Sequence, residues 1–571
     1  MQAHLLAQVL QLAESERAAG RPSQAEDLCR RLLDEMPDCA DAWNLMALLY
    51  ADAGRDLQAA ACLERAMQAA PRHPGYPANL GELMRRAGLP ERAVELGTRA
   101  VQLDPRHLVA HLNLGFALLD LGRAEQALAH FAAVTAAQPS QPQAWFGTGR
   151  AHLMLQRIAP ACEALEHCQR LAPGDPEGRL ALAQARRLLG DRAAAQEHLQ
   201  VAARALPGHP GVVALQADLL LEAGRLDAAE QLVRAHVVPG QPAAPGLLYR
   251  LSLCRMSRGD YRDGFALYES RLSLGPADVS NRIRQPVLPM PLWQGQDLRG
   301  KRVLVLTEQG YGDHIQFCRF VPRLAALGAE VVMGVAPPLE GLMRSLPGCS
   351  QVLTQLDDTR NAGCDYWVFV GSLAQRLQID RAQLDTGGPY LRARDDLRVR
   401  WRELLERRVG PGRSVGTGGS AKRVGLVWGG RPENEYERRR ALPFEALLPL
   451  GQVDGVRLVS LQLGPRAQDL QRHPGALPIE VLTPQELGTF EDTAALMAEL
   501  DAVVTIDTAF SHLAGALGVP TLLLLPEAPD WRWWLQPETS PWYPSVRLFR
   551  QASAPRWDDA VGRVARALSL L

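Results

Sequence analysis

Three stretches in the C-terminal half of this 571-residue chain hold glycines, carboxylates, arginines and a histidine at spacings suited to anion recognition and proton transfer. The first, Glu308-Gln309-Gly310-Tyr311-Gly312-Asp313, follows the short apolar run Arg302–Thr307 and precedes a helical pattern from His314 to Leu327. Its glycines permit positive φ and close backbone approach to a ligand, and a helix start offers free N–H groups to an anion. Asp313 can cap that helix, a contribution of about 1 kcal/mol. It can also act as a general base on an acceptor hydroxyl. The second stretch is Trp428-Gly429-Gly430-Arg431, followed by Arg438-Arg439-Arg440 and Leu442-Pro443. Glycines end a strand there, and guanidinium forks could grip a diphosphate; a solvated basic loop is the other reading.

The third stretch runs from Asp507 to Gly518 and enters a helix rich in small residues. Thr508 and Ser511 hydroxyls with first-turn N–H groups could surround a phosphate. Asp507 can cap the helix or hold a sugar hydroxyl, and His512 lies one turn in from Thr508. A fourth segment is aromatic: five of the eleven tryptophans fall between 531 and 557, Trp531 and Trp533 among them. Their faces could stack on a sugar or acceptor, or form a packed lid.

These stretches need strands and helices to present them. Apolar runs at 302–307, 329–335, 352–353 and 366–370 alternate with helix-like segments, the mark of a parallel α/β sheet. A second alternation places strands at 424–428, 456–461, 502–506, 520–525 and 546–549, and helices at 444–450, 491–499, 508–517 and 557–570. Residues 276–300 read as a proline-rich linker and the Gly/Ser-rich 410–422 as a flexible one. Two Rossmann-like lobes are therefore expected, 301–409 and 423–571, with ligands at the carboxyl ends of strands between them.

The first half is periodic. Pro37, Pro71, Pro105, Pro139, Pro173 and Pro207 are each 34 residues apart. Gly20, Gly54, Gly88, Gly122, Gly190 and Gly224 keep the same step, with Gln156 as the exception. Ala25 recurs as alanine through Ala229, and a small residue recurs from Ala13 through Gly81, Gly115 and Gly149 to Ala217. Glycine suits a tight turn between paired helices, small residues let the pair approach, and proline ends the unit. Seven units and a degraded eighth, with Gly259 displaced by one, cover residues 1–275. Such arrays stack into a superhelix with a concave, peptide-binding surface. Asn79 and Asn113, one repeat apart, could bond a peptide backbone or simply be solvated. His107 and His111 make at most half a metal site.

Composition narrows the class. Hydrophobic residues are 47% and charged residues 22%, typical of globular protein. Lys plus Arg is 62 against 63 Asp plus Glu, so no chain-wide basic footprint for nucleic acid exists. There is no secretory signal pattern and no apolar run of about 18 residues for a membrane span. Nine cysteines without a CxxC pair read as reduced thiols in a cytoplasmic protein.

The repeat columns, with Trp43, Tyr50 and Trp145 at consensus positions, strongly resemble a tetratricopeptide (TPR) array. Asp507–Gly518 resembles the nucleotide-sugar signature of heptosyltransferase-like GT-B glycosyltransferases, and Gly310-x-Gly-Asp313 resembles their acceptor loop. The whole chain is similar to bacterial TPR-linked glycosyltransferases, including those that glycosylate flagellin. The resemblance implies a TPR α-solenoid followed by a GT-B-like pair of lobes. It implies metal-independent, inverting transfer of a sugar from a nucleotide-activated donor to Ser/Thr hydroxyls of a protein acceptor held by the array, flagellin being the example. Asp313 would be the base, with Gln309, Gly310, Gly312, Trp531 and Trp533 on the acceptor or lid side. Gly429, Gly430, Asp507, Thr508, Ser511 and His512 would meet the donor. Arg440 would replace the family's phosphate-binding lysine. No cofactor is implied beyond the nucleotide sugar. A glycan acceptor such as lipopolysaccharide, or a catalytically inactive TPR scaffold, are the alternatives.

Overall fold

The computed structural model describes residues 2–238, 240, 242–275, 283, 285–384, 388–410, 421–431, 436–535 and 538–571, without the side chains of residues 2–4 and 356. The linker expected at 410–422 lies largely outside them. One compact unit reaches to Val212; a second combines Val213–Leu274 with Ile283–Leu571.

The first unit is a helical repeat array, from the pair Gln2–Ala18 and Pro22–Glu35 to the pair Pro176–Leu189 and Arg192–Ala205. The recurring glycine is the turn inside each pair: φ is 74° at Gly20, 71° at Gly54, 77° at Gly88, 71° at Gly122 and 91° at Gly190. Gln156, the exception in sequence, obeys the same geometry at φ 57°. The small column works by contact. A Cβ on Gly115 would lie 2.6 Å from Phe131, and one on Gly149 2.4 Å from Leu165. Ala25, Ala59, Ala127, Ala161 and Ala195 are each 0% exposed.

Hydrogen bonds also repeat. Asn79 Nδ2 donates to Asn44 Oδ1 at 2.8 Å, and Asn113 Nδ2 to the Ala78 carbonyl at 3.1 Å. The amide nitrogens considered for peptide binding thus serve adjoining units of the stack. The indole N–H of Trp43 and of Trp145 donates to the carbonyls of Pro37 and Pro139, at 2.7 and 2.8 Å. His107 Nδ1 accepts from the Ala110 amide at 3.1 Å as a helix cap, and His111 pairs with His130 at 2.9 Å. Among the described residues no three side chains gather that could hold a metal, and no helix is long and apolar enough to cross a membrane.

The second unit takes in the last helices of the array. The eighth pair is present as Pro245–Ser257 and Tyr261–Tyr268, with Gly259 at φ 80° in the turn. Two parallel sheets follow. The first is ordered β3-β2-β1-β4, from β1 (Arg302–Leu306), β2 (Glu330–Gly334), β3 (Cys349–Leu353) and β4 (Tyr366–Phe369). The second is ordered β10-β9-β8-β5-β6-β7, from β5 (Lys422–Leu426), β6 (Val456–Ser460), β7 (Ile479–Val481), β8 (Ala502–Ile506), β9 (Thr521–Leu525) and β10 (Val546–Arg550). Each order reverses beside its first strand, between β1 and β4 and between β5 and β8. Crevices for ligands open at such switch points, outside the carboxyl ends of the strands.

Four details differ from expectation. Phe444–Gln452 is a 3-10 run, because Pro449 inside it denies an α-helical hydrogen bond. The helix Asp395–Arg408 and the short strand β7 were not foreseen. Within the expected linker, Met290 and Trp293 are buried, and the Trp293 amide donates to the Trp367 carbonyl at 2.8 Å, extending the edge of the first sheet.

One continuous core joins these parts. It includes Tyr261, Phe265 and Tyr268 of the last repeat helix, Val303 and Val305 of β1, and Val503 and Leu523 of the second sheet. Buried arginines pin it. The Arg271 guanidinium, just past that helix, donates to Glu308 at 2.8 and 2.9 Å and to Ser372 Oγ at 2.8 Å. Arg319 donates to the Trp542 carbonyl at 2.8 Å and to Tyr390 Oη at 3.2 Å.

A non-glycine residue in the left-handed region is strained, whereas glycine there is not. Gln156→Gly is expected to raise stability by about 1 kcal/mol, read as a higher thermal midpoint of the full chain; a lower midpoint would contradict the reading of this turn.

Candidate active site

The loop after β1 and the helix after β8 meet. Gly310 precedes the short helix Tyr311–Phe317, and its N–H donates to Asp313 Oδ2 at 3.0 Å. Asp313 is therefore the third residue of that helix reaching back to its start, rather than its N-cap. Positive φ plays no part: Gly310 has φ −72°, and Gly312 is not left-handed. What Gly312 supplies is room. A Cβ there would lie 2.9 Å from His512 Cδ2 and 3.4 Å from Ala509 Cα. The close approach that the structure shows at Gly312 is to the facing lobe. Gln309 Oε1 accepts from the Tyr268 hydroxyl at 3.0 Å, tying the loop to the last repeat helix.

Across from it, Thr508 caps the helix Ala509–Leu517, accepting from the Phe510 amide at 3.3 Å. Ser511, expected at a phosphate, is fully buried and its hydroxyl donates to the Thr508 carbonyl at 2.7 Å. His512 is fixed on three sides. Nδ1 bonds Tyr543 Oη at 2.9 Å, the ring stacks on Trp533 with centroids 5.3 Å apart, and Nε2 lies 3.9 Å from Asp507 Oδ1. Burial, reinforced by Arg532, Arg319 and Arg440, pushes its pKa well below the usual histidine value, so the imidazole is neutral. Asp507 moves the other way. Burial, then the nearby Asp530 carboxylate, raises it to about 6 against the opposing pull of Arg440.

Gly429 and Gly430 follow β5. The amides of Trp428 and Gly429 both donate to Gln462 Oε1 at 2.9 Å, and Gly430 donates to Glu437 Oε1 at 2.6 Å. Glu437 also accepts from Arg440 Nε at 3.1 Å, while Arg440 Nη1 reaches the Asp507 carbonyl. A Cβ on Gly430 would lie 2.9 Å from Arg440 Nη2, so the glycine lets this arginine lie against the loop. Arg440 thus does stand beside Asp507.

Trp531 and Trp533 are buried. Trp531 meets Tyr261, Phe265 and Tyr268 edge-on or tilted at 6.2–6.3 Å, and Trp533 is the platform under His512. They are packed aromatic residues, with no open face for a sugar. The residue between them, Arg532, is not among the residues that the sequence patterns mark. It donates from Nε to Gln316 Oε1 at 2.6 Å and from Nη1 to Asp530 Oδ1 at 2.8 Å, and Nη2 pairs with Asp313 Oδ1. The signal available was Asp530-Trp531-Arg532, a charged pair two residues apart inside an aromatic run.

Comparison with known proteins agrees with both halves. Residues 16–80 and 84–151 match the tetratricopeptide repeat family. Residues 467–552 match glycosyltransferase family 9 (heptosyltransferase), a stretch holding Asp507, His512 and Arg532 but not Asp313 or Arg440. The chain thus joins tetratricopeptide repeats to a heptosyltransferase-like domain. It is 29% identical over 376 residues to Protein FlbA of Caulobacter vibrioides, an alignment covering 61% of this chain and 59% of that protein. Among solved structures, PilW, described as a type IV pilus biogenesis factor, is 22% identical at a TM-score of 0.33, over 36% of this chain and 94% of its own. Pseudomonas aeruginosa pilF is 20% identical at 0.34, over 37% and 96%.

The raised pKa of Asp507 makes a prediction. Its folded value of about 6 lies above the unfolded value near 3.8, so the unfolded chain ionises first and stability falls as pH rises from about 4 to 6. Asp507→Asn is expected to be more stable than the parent above pH 6, where the parent must ionise a buried carboxyl beside Asp530. The gap should close near pH 4. Thermal unfolding across this range checks it; a gap independent of pH would contradict it.

Proposed function

We propose that the second unit is a GT-B-type glycosyltransferase that moves a sugar from a nucleotide-activated donor to a Ser or Thr hydroxyl of a protein. The observation that carries this is the gathering of Arg440 and His512 about Asp507 after β8, against the β1 loop whose Gly312 packs on His512 and whose Asp313 pairs with Arg532. The family 9 match over the second lobe supports it. The repeat array, in this reading, holds the protein acceptor, for which flagellin is the candidate drawn from the sequence resemblance. The reaction belongs in the cytoplasm, where nucleotide sugars are made.

The chemistry is one displacement. Asp313 takes the proton of the acceptor hydroxyl as its oxygen forms a bond to the anomeric carbon. The bond from that carbon to the diphosphate oxygen breaks on the opposite face, inverting the centre. Positive charge for the leaving diphosphate comes from arginine, so no metal is called for. His512, neutral and oriented by Tyr543 and Trp533, supplies a hydrogen bond beside Asp507 without adding charge.

Purified chain, incubated with candidate nucleotide sugars and a flagellin acceptor, should add one sugar mass per modified site. Asp313→Ala should lower the rate by about 10²–10⁴-fold while remaining folded at the assay temperature, with a thermal midpoint below the parent's because Arg532 loses a partner. Transfer at full rate by Asp313→Ala would overturn the assignment.

A further inference from the structure

We infer that Arg532 is the cation that receives the donor's diphosphate, and that Asp313 occupies Arg532 until the donor arrives. This rests on the glycosyl-transfer reading above and adds to it an unassigned ligand and an order of events.

The argument begins with charge. Arg532 is nearly buried, its side chain 10% exposed, and its three donor groups are taken by Asp313, Asp530 and Gln316. Two carboxylates share one guanidinium, and the Asp530 carboxylate is close enough to Asp507 to disfavour the charge of Asp507. Arg440 already faces Glu437. The cleft without donor is therefore rich in carboxylates, a poor reception for a diphosphate. For the donor to bind, one carboxylate must give up its cation.

The two carboxylates on Arg532 are not equivalent. Asp530 is two residues away in sequence and also accepts from the Arg532 backbone amide at 3.1 Å. It cannot let go without undoing the turn that presents Arg532. Asp313 reaches Arg532 from the other lobe through a single oxygen, and its second oxygen is held by the Gly310 amide at 3.0 Å. When Arg532 turns to a phosphate, for which its planar fork is suited, Asp313 stays anchored to Gly310 with one oxygen freed. That oxygen is then available to the acceptor hydroxyl. The side chain of Asp313 is 26% exposed, so the exchange takes place at an open face. Donor binding would thus unmask the base.

Linkage gives the test, because two partners competing for one group weaken each other equally. Titration calorimetry on the full chain with UDP, GDP, ADP and CDP identifies the nucleoside diphosphate bound most tightly, which then serves as the probe. Asp313→Asn can keep the Gly310 bond but gives up the charge, and it should bind that nucleotide about fivefold or more tightly while losing transfer. Arg532→Gln should bind it at least about tenfold more weakly. Asp313→Asn placed in the Arg532→Gln background should change affinity no further. If Arg532→Gln does not fold, Arg532→Lys replaces it, with a smaller gain from Asp313→Asn expected. Unchanged or weaker binding by Asp313→Asn, where the parent chain binds and transfers, overturns this inference alone. Tightening that persists without Arg532 also overturns it, because it would reflect overall charge. Failure of the parent chain to bind any of the nucleotides overturns the transfer reading and this inference together.

Discussion

A guanidinium withdrawn from water has to be met by anions and carbonyls, and the second unit is organised around three such groups. Arg271 is met by Glu308 and Ser372, Arg319 by the Trp542 carbonyl and Tyr390, Arg532 by Asp313, Asp530 and Gln316. Each bond set joins parts far apart in sequence: the last repeat helix to the β1 loop, and the first lobe to the second. Losing one partner would leave a buried charge unpaired, at a cost of about 3–5 kcal/mol. That cost holds the loops at the strand ends in register with one another.

The last repeat pair belongs to this arrangement as much as to the array. Tyr261, Phe265 and Tyr268 surround Trp531, Tyr268 reaches Gln309, and the Trp534 indole donates to Tyr261 Oη at 2.8 Å. Trp534 takes a left-handed φ of 53°, and its ring lies against Gly259, where a Cβ would be 2.8 Å away. The segment that carries Arg532 is thus shaped partly by a helix whose sequence reads as one more repeat. A net charge of −1 for the chain hides all of this, because the strong fields are local and paired.

What could be read from sequence followed from periodicity and from chain neighbours. A 34-residue step is visible in any column, and the glycine column gave the turn geometry even at Gln156, where the residue itself gave no hint. Short β-branched runs marked nine of the ten strands; β7, three residues long, carries too little pattern. Asp507, Thr508 and His512 were legible because a strand, a cap and a helix adjoin. The Asp313–Arg532 pair was not, since it spans 219 residues and leaves no local mark. The need for small residues in the β1 loop is legible, but the neighbour that Gly312 accommodates, His512, is one that only the assembled lobes reveal.

The central claim is that the strand-end cleft formed by the β1 loop and the start of the helix Ala509–Leu517 binds a nucleoside diphosphate sugar. Hydrogen–deuterium exchange of the full chain, with and without such a donor, tests this most directly. The account predicts slower exchange in peptides covering 308–317 and 507–517, with the repeats before Val212 unchanged. Donor-dependent protection confined to the repeat array, or elsewhere in the second unit with these peptides unaffected, would contradict it.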